Sequence, residues 1–139
     1  MIVLDTNVVS EPLKTDGDIA VQTWLDQQSA ETLYLTATSL SELLVGIEIL
    51  PKGKRKAGLA AALTELMTKL FKNRILPFDE RAAIAYAPVV TRARTAGKII
   101  SVADGQIAAI AAVHGFAVAT RDTTPFVSAG VPVINPWKD

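Results

Sequence analysis

The chain has no cysteine and only one histidine among its 139 residues. The absence of cysteine excludes disulfide bonds, zinc sites built on thiolates and cysteine nucleophiles, and it fits a reducing compartment. The single histidine excludes any mechanism that needs two imidazoles. Because His114 precedes Gly115 at the predicted end of a helix, we expect it to stabilise that helix terminus rather than to act chemically.

Segments that would direct the chain to a membrane are also missing. No apolar run reaches the roughly 18 residues that a spanning helix needs. The first five residues contain no basic region and end in a carboxylate, so no signal peptide is predicted. The length suits one domain over residues 1–139, and half of the residues are apolar, which is enough for a buried core. We therefore expect one cytoplasmic domain with no membrane association.

The chain has no net charge, but its charges are distributed unevenly. Residues 1–51 carry one basic and eight acidic side chains, whereas residues 52–98 carry eleven basic and three acidic ones. A basic segment of this kind is typical of a surface that contacts a polyanion. Solvated lysines on helix surfaces are the alternative explanation.

Short apolar runs alternate with segments of helical periodicity, which predicts an α/β domain with a mainly parallel sheet. The predicted strands are residues 2–4, 32–36, 117–120 and 131–134, with 75–78 as a further candidate that Pro77 restricts to a sheet edge or a short turn. The predicted helices are residues 18–28, 39–50, 55–73, 80–96 and 101–114. Ligands of such sheets bind beyond the carboxyl ends of the strands, so a functional site is expected there.

Four carboxylates occupy positions that can converge at this edge: Asp5, Glu42, Asp104 and Asp122. Two carboxylates about 4 Å apart repel by on the order of 4 kcal/mol at an effective dielectric constant of 20. A cluster of three or four therefore needs a compensating cation. Oxygen ligands without cysteine or a second histidine favour Mg²⁺ or Mn²⁺ over zinc.

Each of these carboxylates also has a purely structural explanation. The alternatives are a helix cap for Asp5, a capping box for Ser39 with Glu42, a capping variant for Ser101 with Asp104, and a turn or cap for Asp122. Asp104 is the most informative, because it is the only charged residue from Ile99 to Val113. A carboxylate in a helix that is apolar nearly all round must cap, pair or bind a metal, and here we favour a functional role.

The motifs around the carboxylates resemble those of PIN-domain ribonucleases. They are Leu4-Asp5-Thr6-Asn7, Ser41-Glu42-Leu43, Ala103-Asp104 and Ala119-Thr120-Arg121-Asp122. Two further segments, Ile-Leu-Pro-Phe-Asp at 75–79 and Asn135-Pro136-Trp137, resemble the FitB-like branch of VapC toxins from bacterial toxin–antitoxin pairs. The resemblance extends over essentially the whole chain, with its motifs in the family's order.

This resemblance implies a PIN-like fold and an Mg²⁺- or Mn²⁺-dependent endoribonuclease that cleaves RNA, often tRNA, and is silenced by a cognate antitoxin. It implies that the four carboxylates form the catalytic metal site, with Asn7 and Thr120 as supporting polar residues. We expect RNA contacts from basic side chains, namely Arg121, Lys52, Lys54, Arg55 and Lys56. We also expect a homodimer, because the second apolar face of helix 39–50 has no evident core partner.

Two other classes of protein are weighed against this interpretation. A non-catalytic regulatory or binding module of the receiver type would hold Mg²⁺ in a similar acidic pocket. It would need adjacent acids after the first strand and a lysine after a late strand, whereas Asp5 is followed by Thr6. A phosphatase would need a second aspartate two residues after Asp5, where the chain has Asn7.

Overall fold

A five-stranded, wholly parallel sheet runs through the computed structural model, which describes residues 1–139. The strands are β1 (Ile2–Leu4), β2 (Leu33–Thr36), β3 (Ile75–Leu76), β4 (Ala117–Ala119) and β5 (Val133–Ile134). Their order is β3-β2-β1-β4-β5, so the first strand of the chain lies at the centre of the sheet. The predicted parallel α/β class is confirmed, and β3 is an edge strand that ends before Pro77, as its proline requires.

Seven α-helices surround the sheet. They are α1 (Thr6–Ser10), α2 (Ile19–Asp26), α3 (Ala37–Glu48), α4 (Lys54–Glu65), α5 (Glu80–Thr95), α6 (Val102–His114) and α7 (Thr123–Ser128). A π-helical turn, Leu66–Leu70, continues α4. The five predicted helices are confirmed, and most of their ends lie within a few residues of the predicted positions. The predicted segment 55–73, by contrast, changes from α-helix to the π-helical turn. No helix has the length and apolar character that a membrane crossing requires.

The sheet separates two hydrophobic cores, because its strands are buried on both faces, as parallel strands generally are. Val3 and Val118 pack on one face with Ile107 of α6. The neighbouring Leu4 points to the other face, where it packs with Leu35 of β2. The alternation along β1 therefore places α5, α6 and α7 on one side and α1 to α4 on the other. The two layers meet at the carboxyl edge of the strands.

Helix α6 is the most deeply buried helix, as its apolar composition predicts. Ser101 caps its first turn, and Gly115 ends it with φ of 69° directly after His114, which confirms the expected helix terminus. Gly105 allows α5 to approach closely, since a Cβ at this position would lie 2.7 Å from Cε2 of Tyr86. A side chain at Gly105 would therefore push Tyr86 away from the turn that carries Asp104.

The basic run at residues 52–56 contains the start of a helix, because Lys54 begins α4. Cations at a helix N-terminus are unfavourable for that helix. The Lys56 ammonium compensates by donating a hydrogen bond of 2.9 Å to the carbonyl oxygen of Glu48, at the end of α3. Because that carbonyl is at the negative end of the α3 dipole, the contact holds the basic run between two helices.

The close approach at Gly105 can be tested with a matched pair of glycine substitutions. Alanine at Gly58, a helical position with nothing within 4 Å of an added Cβ, should stabilise the protein by up to about 1 kcal/mol through helix propensity. Gly105→Ala should instead destabilise it by about 1–3 kcal/mol through overpacking against Tyr86. Urea unfolding of the two variants measures this difference. Equal stabilisation by both alanines would contradict the packing argument.

Candidate active site at the carboxyl edge of the sheet

Asp5 lies directly after the central strand and is only 6% exposed. One carboxylate oxygen accepts the N–H of Thr6 at 2.8 Å and so caps α1, and the other accepts the hydroxyl of Thr120 at 2.8 Å. Burial raises the pKa of Asp5 to about 6, even though these two hydrogen bonds lower it. The negative charges of Asp104 and Glu42 raise the pKa further. The predicted cap is thus present, but the side chain also belongs to a group of nearby acids.

Glu42 does not form the capping box that the sequence suggested as an alternative. Helix α3 begins two residues before Ser39, and its cap is Thr36, whose hydroxyl oxygen accepts the N–H of Ser39 at 3.0 Å. Glu42 therefore lies beyond the first turn. Its carboxylate accepts the hydroxyl of Thr6 at 2.7 Å, across the gap between α3 and α1. This contact turns Glu42 toward the same edge of the sheet as Asp5.

Asp104 lies in the first turn of α6, where its N–H donates to the Ser101 hydroxyl oxygen at 3.1 Å. Ser101 is thus the cap, and the carboxylate of Asp104 is not required to be one. Burial is the largest cause of its raised pKa; the charges of Asp122 and Glu42 also raise it, and the Ser101 hydroxyl and Lys98 lower it. The charges of Glu42 on α3 and of Asp122 before α7 are therefore close enough to Asp104 to raise its pKa.

Thr120 connects Asp5 with Asp122. The Thr120 hydroxyl donates to Asp5 and accepts the N–H of Asp122 at 3.1 Å, and the residue is fully buried. Asp122 precedes α7 but makes no capping hydrogen bond with its side chain, so its carboxylate is not used by that helix. On the other side of Asp5, the amide oxygen of Asn7 accepts the N–H of Arg121 at 3.3 Å. Hydrogen bonds therefore connect five of the six polar residues that the sequence singled out, and Asp104 is related to them only by the charges that raise its pKa.

Whether these residues suit a metal ion can be judged from their chemistry and spacing. The donors are all carboxylate oxygens, which suit a hard divalent cation, and two of the four have raised pKa values that a nearby cation would lower. No three acidic side chains are positioned so that they could hold one ion together without moving. The donor set fits such a cation, and its side chains would have to draw closer to share it.

A groove of about 320 Å³ leads away from the acidic residues. Thr6 and Glu42 lie in its wall, with apolar side chains from α3, α4 and the turn after α1: Leu13, Leu43, Ile47, Leu50 and Leu59. Arg55 also lines this groove, whereas Lys52, Lys54 and Lys56 do not. The structure therefore places only one of the four predicted basic contacts of residues 52–56 near the site.

Sequence reasoning missed three residues of the site. Thr6 holds Glu42, Lys98 reduces the pKa of Asp104, and Trp137 lies beneath the Arg121 guanidinium, 5.2 Å from its carbon to the ring centre. Thr6 could have been found from its place after Asp5 at the strand end. Lys98 is only six residues before Asp104, but no strand or helix period relates the two positions. The contact of Arg121 with Trp137 depends on how the tail turns after β5, which the sequence pattern does not indicate.

Comparisons with known proteins identify the family to which this fold belongs. The sequence profile of the PIN domain matches residues 2–130. The VapC ribonuclease Y4jK of Sinorhizobium fredii is 49% identical over 138 residues, 99% of each chain, and the toxin FitB of Neisseria gonorrhoeae is 48% identical over the whole of both chains. The crystal structure of FitAcB from Neisseria gonorrhoeae covers all of both chains at 47% identity, with a TM-score of 0.94. The chain belongs to the PIN-domain family, in the group that contains the VapC and FitB toxins.

Proposed function

We propose that this protein is a divalent-metal-dependent endoribonuclease and the toxin of a bacterial type II toxin–antitoxin pair. The observation that carries the proposal is the hydrogen-bonded network around Asp5 at the carboxyl edge of β1 and β4, together with the raised pKa values of Asp5 and Asp104. Such a network is costly to the metal-free fold and is suited to a cation. The names of two relatives, a VapC ribonuclease and the toxin FitB, support RNA as the substrate.

In this mechanism Asp5, Glu42, Asp104 and Asp122 would hold Mg²⁺ or Mn²⁺. When bound, the cation supplies an activated water and stabilises the charge that develops on the phosphate. Thr120 and the N–H of Thr6 fix both oxygens of Asp5, and the Thr6 hydroxyl fixes Glu42. These contacts orient Asp5 and Glu42 before RNA arrives, and the carboxylates still have to draw closer when the cation binds.

The RNA strand must bring a phosphate into this negatively charged edge, so nearby cations are needed to receive it. Arg121 lies between Thr120 and Asp122, and Arg55 lines the groove that ends at Glu42. Both guanidinium groups can bind phosphate oxygens in a bidentate manner. Proteins that read RNA sequence usually contact unpaired bases, so we propose a structured RNA with an exposed loop, such as tRNA, as the substrate.

The apolar groove is where a cognate antitoxin would bind. Its leucine and isoleucine walls suit the apolar face of an amphipathic segment, and a basic side chain at the end of that segment could pair with Glu42. Solved structures related to this chain include FitAB bound to a DNA fragment, at 46% identity. An antitoxin in this position would exclude RNA from Arg55 and from the carboxylates.

A homodimer remains part of the proposal. Val45 and Ile49 on α3 are 59% and 77% exposed, and such apolar side chains mark interfaces when they cluster. Leu44, which precedes Val45 on α3, is also 47% exposed. It adds to the uncovered apolar area on α3, which a second copy of the chain would bury.

The central activity prediction concerns the metal. Purified protein, free of antitoxin, should cleave single-stranded or loop-containing RNA with Mg²⁺ or Mn²⁺ present, and EDTA should abolish the cleavage. An Asp5→Asn variant, purified in parallel, controls for contaminating nucleases and should be inactive under all conditions. Full activity of the wild-type protein in EDTA, with an inactive control, would contradict the metal mechanism.

A second prediction concerns the repulsion among the carboxylates of the metal-free protein. The folded-state pKa of Asp5 is raised from 3.8 to about 6, so the folded protein binds more protons and its free energy of unfolding falls as the pH rises through this window. Asp104→Asn removes one of the repelling charges and should stabilise the protein at pH 7 by about 1–3 kcal/mol after allowance for solvent screening. It should also flatten the pH dependence.

Thermal and urea unfolding in EDTA between pH 4 and pH 8 measure both effects. The matched control is Asp26→Asn at the exposed end of α2, which removes the same charge and should change stability by no more than about 0.5 kcal/mol. If Asp104 were only a helix-cap residue, asparagine would replace it with almost no effect, and that result would remove it from the site.

A third prediction separates Arg55 from basic residues elsewhere on the surface. Arg55→Gln should weaken RNA binding and reduce the slope of log K against log salt by about 1, because one phosphate contact is lost. Lys69→Gln changes the same charge at an exposed pair with Glu65, 2.7 Å away, and should leave the slope unchanged. Equal slopes for the wild type and Arg55→Gln would show that the groove does not receive RNA.

A further inference from the structure

Both tryptophans of the chain lie at one surface pocket. Trp24 of α2 and Trp137 of the C-terminal tail line a cavity of about 360 Å³, together with the polar side chains of Thr23, Gln27 and Lys138. This volume is at the lower end of the range of roughly 300–1,000 Å³ for small-ligand pockets. Aromatic side chains beside polar groups are the chemistry that binds a nucleobase.

The tail that carries Trp137 has a fixed place beside the acidic residues. Strand β5 ends at Ile134, whose carbonyl oxygen accepts the N–H of Thr120 at 2.9 Å. The following turn is closed by hydrogen bonds to Asn135, whose amide oxygen accepts the N–H of Trp137 at 3.0 Å. Because Thr120 also binds Asp5, the tail that carries Trp137 begins at the same edge of the sheet as Asp5.

Arg121 joins the pocket to the acidic residues. Its backbone N–H is bound to Asn7, and its guanidinium carbon lies 5.2 Å from the centre of the Trp137 ring. The exposed guanidinium forms no salt bridge with a carboxylate of the chain, so its N–H donors are free for an external anion. An arginine that stacks on an aromatic ring and keeps its donors free suits a phosphate beside a base.

Packing on the hydrophobic core explains part of the positions of the two tryptophans. Trp24 and Trp137 each rest partly on the core around Leu4 and Leu35, so they also anchor α2 and the tail. Asp139 in the pocket wall is negatively charged, but one of its carboxylate oxygens is occupied by the N–H of Asn135 at 2.8 Å, and Lys138 offsets its charge. The pocket therefore suits the uncharged base of a nucleotide rather than its phosphate.

We infer that this pocket is a subsite for an unpaired RNA base, which stacks on Trp137 while Arg121 binds an adjoining phosphate. The inference rests on the proposed function, because it assumes that RNA reaches the carboxylates. It adds a specificity element: a base held in this pocket must be unstacked from its neighbours, so paired regions of RNA are excluded from the site. Every base has a stacking face, so the subsite selects unpaired structure more than sequence.

The first test leaves Trp137 intact and needs no metal. In Trp24→Phe, Trp137 is the only indole, and a single-stranded RNA oligonucleotide in EDTA should quench its fluorescence in a saturable manner. A duplex of the same sequence should give little quenching, because its bases are not available for stacking. Equal quenching by both RNAs, or none by either, would overturn the inference.

The second test uses two substitutions at position 137 and the cleavage of RNA with metal present. Trp137→Leu keeps an apolar side chain for the core but loses the stacking surface, and should raise KM for single-stranded RNA roughly 5- to 150-fold with little change in kcat. Trp137→Phe keeps a ring and should restore most of the affinity. Equal KM values for the leucine variant and the wild type would contradict the inference.

These results separate the inference from the proposed function. Selective quenching of Trp137 by single-stranded RNA, in a protein that never cleaves RNA, would support the subsite and refute the nuclease. Metal-dependent cleavage with unchanged KM in Trp137→Leu would support the nuclease and refute the subsite. A leucine variant that fails to fold leaves the fluorescence experiment on Trp24→Phe to decide.

Discussion

The hydrogen bond between Asp5 and Thr120 is the interaction on which the site depends. It joins the ends of the two central strands, β1 and β4, inside the protein. Each partner carries further structure: Asp5 caps α1, and the Thr120 hydroxyl accepts the N–H of Asp122 before α7. Thr6, the first residue of the helix that Asp5 caps, then holds Glu42 on α3. One buried carboxylate thereby sets the positions of groups on two strands and three helices.

This arrangement is electrostatically unfavourable for the metal-free protein. A buried carboxylate loses the solvation of its charged form, and the surrounding acids repel it, which together raise the pKa of Asp5 to about 6. The two hydrogen bonds to Asp5 offset only part of this cost. A fold that retains such a group at neutral pH stores a free energy that a cation can release. The local instability of the carboxylates is thus the physical basis of the proposed metal affinity.

The sequence predicted the sheet and the long helices well because their signals are periodic. Asp5 and Asp122 could be placed at one edge because they follow strands of a parallel sheet, where the topology decides which residues meet. The short helices α1 and α7 were missed, since five and six residues are too few to show a helical period. The capping box suggested for Ser39 and Glu42 does not form, because α3 begins before Ser39. Thr36, the last residue of β2, caps this helix instead.

Contacts between distant segments were beyond the reach of sequence patterns. The place of Gly105 became clear only from the ring of Tyr86 on the neighbouring helix. The stacking of Arg121 on Trp137 depends on how the tail turns after β5, which no periodicity records. The same holds for the groove that brings Arg55 toward Glu42, since its walls come from several helices. Sequence thus located the acidic residues, whereas the structure was needed to find the surfaces that would bind RNA or a partner.

The central claim is that the carboxylates at this edge bind a divalent cation, and diffraction from crystals soaked in Mn²⁺ tests it most directly. Mn²⁺ scatters anomalously, so its position can be found without reference to the protein atoms. We expect an anomalous peak in contact with the carboxylates of Asp5 and Asp104, and its loss in crystals of Asp5→Asn soaked in the same way. A peak that persists unchanged in the variant, or no peak at this edge at saturating Mn²⁺, would contradict the account.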